Sequence, residues 1–353
     1  MRILQIMAGK SNGGAELYST DVMLSLHAAG IDQCVVMRHN APRFKELEQA
    51  GLRMAPEVLK SGVLPIQRFS MGRLIAREKP DIVHCWMRRA ASLAPASAAG
   101  RAAMLGWFGD YEELKYFSHC TDLAGCTTDL VRHMRENGIS EARSTYIPTF
   151  PSVDAAPALD RARLDTPNDA KLLLTLSRLH PTKGLDTLIK ALADLPECHL
   201  WIAGDGPLRV SLETLAQQMG VAGRVRFLGW RTDRGALLRA ADICLLPSNY
   251  EPFGTVILDA WSTRTAFIAC DSAGPRMHIR NGENGMLVPA GEPAALAGAI
   301  RAVISNPALR ERIVENGYTE YVSRFTREAV TRQWIDYYRG LLATGESLAS
   351  AAA

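Results

Sequence analysis

The sequence predicts two α/β domains in tandem, each a doubly wound parallel sheet flanked by helices. Apolar runs of four to eight residues alternate with stretches of helical period almost from end to end, the mark of βαβ units. The alternation stops over 148–168, where prolines 148, 151, 157 and 167 fall, and then restarts. With 353 residues against ~150 per domain, each half is long enough to bury its own core.

In the first half, strands are expected at 1–8, 33–38, 81–85, 102–107, 122–126 and 143–147, each a short apolar run closed by polar residues. Helices are expected near 14–29, 65–78, 89–99, 111–118 and 127–137. The proline-rich stretch 148–168 reads as a linker and divides the chain into domains 1–155 and 156–325. After it, strands are expected at 171–177, 198–203, 224–228, 242–246, 266–270 and 285–288. Helices alternate with them near 184–193, 207–219, 232–240, 254–263, 293–305 and 307–322. A last amphipathic helix at 326–343 carries Val330, Trp334, Tyr337, Tyr338 and Leu341 on one stripe, and the tail Ser347–Ala353 is expected to fray.

Composition excludes several classes. Hydrophobic residues at 47% and charged residues at 22% rule out bulk disorder, and no run nears the ~18 apolar residues of a membrane span. The opening Met1–Ala8 reads as a first strand instead of a signal-peptide core, so the protein is expected in the cytoplasm. Seven scattered cysteines with no C-x-x-C pair fit buried reduced thiols better than a disulfide or zinc framework. Residues 53–101 hold nine Lys/Arg against three Asp/Glu, an excess that suits an anionic partner and equally a solvated face.

Ligands of doubly wound sheets bind beyond the carboxyl ends of the strands, so the loops there carry the search for chemistry. Gly9-Lys10-Ser11 is no P-loop, because Leu4 stands where the first glycine belongs, and Gly9, Gly13 and Gly14 do not make G-x-G-x-x-G. What remains is a glycine-rich turn opening a helix, where Gly13 and Gly14 let backbone approach a donor closely; a tight structural turn accounts for the same residues.

The second half is richer. After the strand at 171–177, Arg178 and Lys183 lie five residues apart in a loop and first helical turn, a pair that suits a diphosphate. After the strand at 242–246, Glu251 stands before a helix and Asp259 inside it, where helical side chains lean back toward the N-terminus. Between them the amides of Phe253, Gly254 and Thr255 offer an anion site. Amides for a phosphate and carboxylates for hydroxyls match a sugar phosphate.

This ordered set resembles the GT-B retaining glycosyltransferases of family 4. The chain has Arg178 followed by Lys183-Gly184, then Gly204-Asp205-Gly206-Pro207, then Glu251 and Asp259 with seven residues between. Gly13-Gly14-Ala15-Glu16, Asp81-Ile82-Val83-His84 and the closing helix extend the resemblance over nearly the whole chain. It implies two Rossmann-like domains facing across a cleft, with the helix at 326–343 crossing back to close the first.

It also implies roles. Arg178 and Lys183 would hold the donor diphosphate, Glu251 the donor-sugar hydroxyls, Asp259 the ribose, and Trp230-Arg231 the base. Asp259 departs from the usual glutamate, and Phe108-Gly109-Asp110 stands where a histidine is often found. Cleavage of a glycosyl–phosphate bond adds negative charge to the leaving diphosphate, which preorganised cations stabilise. No Asp-x-Asp is present to hold a metal, so the expectation is metal-independent transfer with no cofactor beyond the UDP- or GDP-sugar substrate.

The acceptor is expected on the first domain: a glycan or a lipid-linked glycan of cell-envelope polysaccharide or lipopolysaccharide. His84 and Asp110 are candidate acceptor or sugar contacts, though a histidine satisfied at a sheet edge reads the same way. Arg68, Arg73 and Arg77 interleaved with Leu64, Ile66 and Phe69 suit an anionic membrane face, which would make the protein peripheral at the inner surface. No aromatic-basic groove points to nucleic acid. Two alternatives compete: a nucleotide-sugar epimerase or phosphorylase on the same fold, and a non-catalytic two-domain binding protein.

Overall fold

Apolar runs with no polar face become interior strands of two all-parallel sheets, as burial on both faces requires. The computed structural model describes residues 1–9, 13–56, 58–59, 62–95 and 102–351, with 344–351 described through their backbone alone. Two units divide it: Met1–Phe150 together with Arg327–Ala353, and Pro151–Thr326.

The first unit runs β1 (Arg2–Met7), α1 (Gly14–Ala28), β2 (Asp32–Val36), α2 (Phe44–Gln49), β3 (Arg53–Met54) and α3 (Leu64–Glu78). It continues with β4 (Ile82–Trp86), α4 (Met87–Leu93), β5 (Ala103–Phe108), β6 (Asp122–Gly125), α5 (Thr128–Glu136) and β7 (Ser144–Tyr146). Its strand order is β3-β2-β1-β4-β5-β6-β7, so the winding reverses between β1 and β4.

The second unit runs β8 (Lys171–Leu176), α6 (Leu185–Leu192), β9 (Cys198–Ala203), α7 (Arg209–Gln218), β10 (Val225–Gly229) and α8 (Arg234–Ala240). Then follow β11 (Ile243–Leu246), α9 (Thr255–Ser262), β12 (Ala266–Cys270), α10 (Ala273–His278), β13 (Met286–Val288), α11 (Pro293–Ser305) and α12 (Pro307–Arg324). The order β10-β9-β8-β11-β12-β13 reverses between β8 and β11.

The closing helix α13 (Arg327–Ala351) packs on the first unit by its apolar stripe. Val330, Trp334 and Tyr338 are fully buried. The Trp334 indole donates to Tyr18 Oη at 3.0 Å, and Tyr18 donates to the Pro148 carbonyl at 2.9 Å. The helix runs past the expected frayed start at 347 to Ala351; Lys10–Asn12, Glu57, Lys60, Arg101 and Ala352–Ala353 lie outside the described residues.

Short or interrupted elements depart from expectation. Helix α2 buries only Phe44 and Leu47, β3 has two residues, and α10 contains Gly274 and Pro275, so none presents a periodic run. The helix expected over 111–118 is a single 3-10 turn, Leu114–Phe117, with Phe117 alone buried. Helix α4 starts at Met87 and ends at Leu93; part of its expected course, 96–99, lies outside the described residues.

The stretch read as a linker is strapped along α8. Arg239 donates to the carbonyls of Asp154 and Ala156 at 3.0 and 2.8 Å, and Leu159 N–H donates to the Ala236 carbonyl at 3.0 Å. Arg161 donates to the Ala240 carbonyl at 2.9 Å and pairs with Asp242 at 3.0 Å. These bonds draw the unit boundary back from 155 to 150. All seven cysteines are buried free thiols.

Candidate active site

The reversal between β8 and β11 sets two loops side by side, 177–184 and 247–254, where sheets of this winding hold ligands. Leu179, fully buried, anchors the first loop, and its amide donates to the Asp205 carbonyl at 2.9 Å. Gly204 opens the G-D-G-P turn at φ +153°, and a Cβ there would lie 1.8 Å from the Ser177 carbonyl oxygen, so only glycine allows the contact. His180 then caps the 3-10 turn Pro181–Lys183.

The Thr182 carbonyl ties the loops together by accepting the amides of Asn249 and Tyr250 at 2.9 and 3.3 Å. This brings Lys183 Nζ to 2.7 Å from Glu251 Oε2, both side chains being mostly buried. Ser248 Oγ lies 3.4 Å from the same oxygen. Arg178, in the same loop, is exposed and makes no side-chain bond among the described residues. One cation is thus paired and one is open.

Behind Glu251, Phe253 is buried and meets the His278 ring edge-on at 4.7 Å. Gly254, at φ +82°, turns the chain into α9. Among the described residues no acceptor takes the amides of Phe253, Gly254 or Thr255, so these donors are open to an anion. The Glu251 carbonyl accepts the Gly274 amide at 2.8 Å, which braces the loop from α10. Burial and the nearby Arg324 charge push His278 down to about 3, so it is a neutral support. The Thr182 carbonyl, Ser248 and His278 were not legible as site residues, since a carbonyl, a serine and a lone histidine carry no spacing signal.

Asp259 requires a correction. Its carboxylate does not face an open mouth: the side chain is 1% exposed and pairs with Arg234 Nη1 at 3.0 Å. Its other oxygen accepts the Ser152 amide at 3.2 Å, and Arg234 also donates to the Ser152 carbonyl. A helical aspartate one methylene short of glutamate stays close to its own helix, where the strap covers it. Trp230 is half exposed just after the outer strand β10, and Arg231 is held by Asp233 at 2.8 Å. No described contact brings either to Lys183 or Glu251.

In the first unit, His84 is corrected too. It is fully buried, stacks on Trp86 at 4.0 Å and bonds Tyr338 Oη through Nδ1 at 2.8 Å. The sheet-histidine reading holds in that β4 is central and α13 covers the ring, but only Nδ1 is satisfied, since Nε2 is buried with no hydrogen-bond partner among the described residues; burial drives the pKa well below the ordinary value. Asp110 is exposed and accepts the Tyr111 amide at 2.8 Å. Gly13 caps α1, and among the described residues a Cβ on Gly14 would meet nothing within 4 Å.

Residues 158–320 match the family described as glycosyl transferases group 1. The chain is 35% identical over 349 residues to the lipopolysaccharide core biosynthesis glycosyltransferase LpsE of Rhizobium meliloti (strain 1021), covering 98% of this chain and 99% of that protein. The chain belongs to the group 1 glycosyltransferases. Its similarity to LpsD of the same organism, also a lipopolysaccharide core biosynthesis glycosyltransferase, is 32% over 341 residues, 96% and 98% of the two chains. The solved structure of Anabaena HepE in complex with UDP and glucose superposes on this glycosyltransferase with a TM-score of 0.81 at 22% identity, covering 95% and 98%. The fold is therefore the GT-B type. Neither an epimerase nor a non-catalytic binding protein fits this family membership.

Proposed function

We propose that this glycosyltransferase moves a sugar from a nucleoside diphosphate donor to a lipopolysaccharide-core or other lipid-linked glycan, with retention and without a metal. The interlocked Lys183–Glu251 pair beside the open Arg178 carries the reading. Arg178 and Lys183 hold the diphosphate, the amides of Phe253 to Thr255 a phosphate oxygen, and Glu251 the donor-sugar hydroxyls. Half-exposed Trp230 is the candidate for stacking on the base. The named roles of LpsE and LpsD support the acceptor class, and the UDP and glucose bound to HepE support the donor class.

In the step we propose, the bond from the anomeric carbon to the leaving phosphate oxygen breaks while the acceptor oxygen bonds that carbon on the same face. The acceptor's proton passes to the departing phosphate. The new negative charge falls between Arg178 and Lys183, where preorganised cations lower the barrier; removing one such donor commonly costs ~3–4 kcal/mol.

Membrane attachment belongs to the same reading. Helix α3 and the residue before it expose Val63, Leu64, Ile66 and Phe69, and Arg73 lies further along its exposed side. An anionic bilayer suits that surface. Binding to anionic vesicles that survives neutralising Arg68, Arg73 and Arg77 together would count against it.

The test of function is a thermal-shift screen against UDP-, GDP- and ADP-sugars, followed by an assay of nucleoside diphosphate release. Release that requires rough lipopolysaccharide and leaves the anomeric configuration unchanged after chelation supports the proposal. An inverted product or a metal requirement overturns those parts of it.

A further inference from the structure

The sheet of the first unit has its own reversal, between β1 and β4, and the same winding rule places a crevice beyond the carboxyl ends of those strands. There β4 enters α4 without a loop, and Met87 makes the turn at φ +65°, a conformation a side chain with a Cβ rarely adopts. Packing holds it: the neighbouring Trp86 is fully buried and donates to Gln5 Oε1 at 2.8 Å. Strain held by a rigid core marks a place where the exposed residues that follow are being aimed.

The residue aimed is Arg88, half exposed and delivered to the loop that follows β5. Its Nε lies 3.6 Å from Glu112 Oε2, and its guanidinium carbon lies 5.1 Å from the centre of the Tyr116 ring. At 3.6 Å the charges attract without a hydrogen bond, so the guanidinium N–H groups and the carboxylate oxygens keep their capacity for a ligand. Lys115 lies over the same ring at 5.1 Å and pairs with Glu113. Glu112 is largely buried, and burial first, with Asp110 and Glu113 adding, raises its carboxyl against the pull of Arg88.

We propose that Arg88 and Glu112 are the acceptor-recognition pair of this glycosyltransferase, and that they bind uncharged saccharide hydroxyls at the end of the acceptor. The assignment rests on the transfer reaction proposed for the second unit. Two cations, Arg88 and Lys115, face three carboxylates, Asp110, Glu112 and Glu113, so the cluster carries no excess positive charge; this suits an uncharged polyol and gives a phosphate no advantage. A guanidinium donates where a carboxylate accepts, so neighbouring hydroxyls of one sugar satisfy both, and the Tyr116 ring offers a flat face for its C–H groups. Any charge preference in the acceptor falls to the arginines of α3.

The experiment uses the full chain and, as probe, core oligosaccharide released by mild acid from rough lipopolysaccharide, before and after chemical removal of phosphate. Binding is read by saturation-transfer NMR titration. Wild-type protein is expected to bind both forms within about twofold, and Arg88→Ala and the near-isosteric Glu112→Gln each to weaken binding by ~10-fold, the loss of one charge-assisted hydrogen bond. The melting shift produced by nucleoside diphosphate should be unchanged in both. Variants that bind within twofold of wild type, loss of binding on removing phosphate, or a wild type that binds neither form overturns the proposal. Oligosaccharide binding through Arg88 in a protein that turns over no donor would leave this site standing and sink the transfer reading instead.

Discussion

A side chain at residue 184 would strike the backbone of residue 247: a Cβ on Gly184 falls 2.1 Å from the Pro247 carbonyl oxygen. The residue also sits at φ +59°, so both space and backbone demand glycine. The two loops that bring Lys183 to Glu251 can therefore approach only because nothing projects from residue 184. Gly184→Ala is expected to push them apart, lowering kcat/KM ~100-fold and the melting temperature by several degrees. Steady-state kinetics with thermal melts decide it, and near-wild-type turnover would show that the loops act independently.

Lys183 and Glu251 form one unit, so their losses should not add. Lys183→Ala leaves a mostly buried carboxylate with Ser248 Oγ at 3.4 Å, while Glu251→Gln leaves the lysine without its counter-charge. Each is expected to lower kcat by ~10²–10³-fold, with the double variant little worse than either single one. Multiplied losses in a double-mutant cycle would mean two separate functions.

Long elements and the loops after β8 and β11 were legible because both leave periodic or spaced signals. The apolar run Lys171–Leu176 is a central strand in sequence and in structure, and Arg178, Lys183 and Glu251 stand in loops that the winding places together. What stayed hidden has no period. The strap over 152–161 is held through backbone carbonyls that arginines from α8 reach, and any sequence supplies carbonyls. His84 was ambiguous because the partner that settles it, Tyr338, lies 254 residues away. Arg88 passed unnoticed because the turn that aims it depends on a positive φ at a methionine, which composition does not announce.

Buried neutral histidines set an acid limit to stability. Burial pushes His278 down to about 3, and it drives His84 in the same direction. An unfolded histidine takes its proton near pH 6.5, so the contribution is complete above 6.5 and is lost as pH falls from there toward the folded value. Each such histidine removes roughly 1.4 kcal/mol per pH unit over that range. Between pH 6.5 and 5 the arginine-paired carboxylates Asp32, Glu46 and Glu78, held below their ordinary values, remain ionised and contribute little slope. Chemical denaturation across this window should show stability falling with acid, and His278→Gln should flatten the curve; an unchanged slope would place the proton uptake elsewhere.

Asp259 and Arg234 give the sharpest separation of a structural role from a ligand role. The carboxylate is 1% exposed, with one oxygen on Arg234 and the other on the Ser152 amide, where the chain enters the second unit. Asp259→Asn keeps the shape and removes the charge opposite Arg234. Breaking a fully buried pair costs about 3–5 kcal/mol. Arg234 still reaches solvent, so roughly 2–3 kcal/mol is expected here. Arg234→Ala should cost a similar amount, and the two losses should not add. Donor KM should stay within about threefold in both, because an acid already engaged on both oxygens has little left to offer a ribose. A tenfold rise in donor KM with an unshifted melting temperature would return Asp259 to the donor site and remove it from the strap.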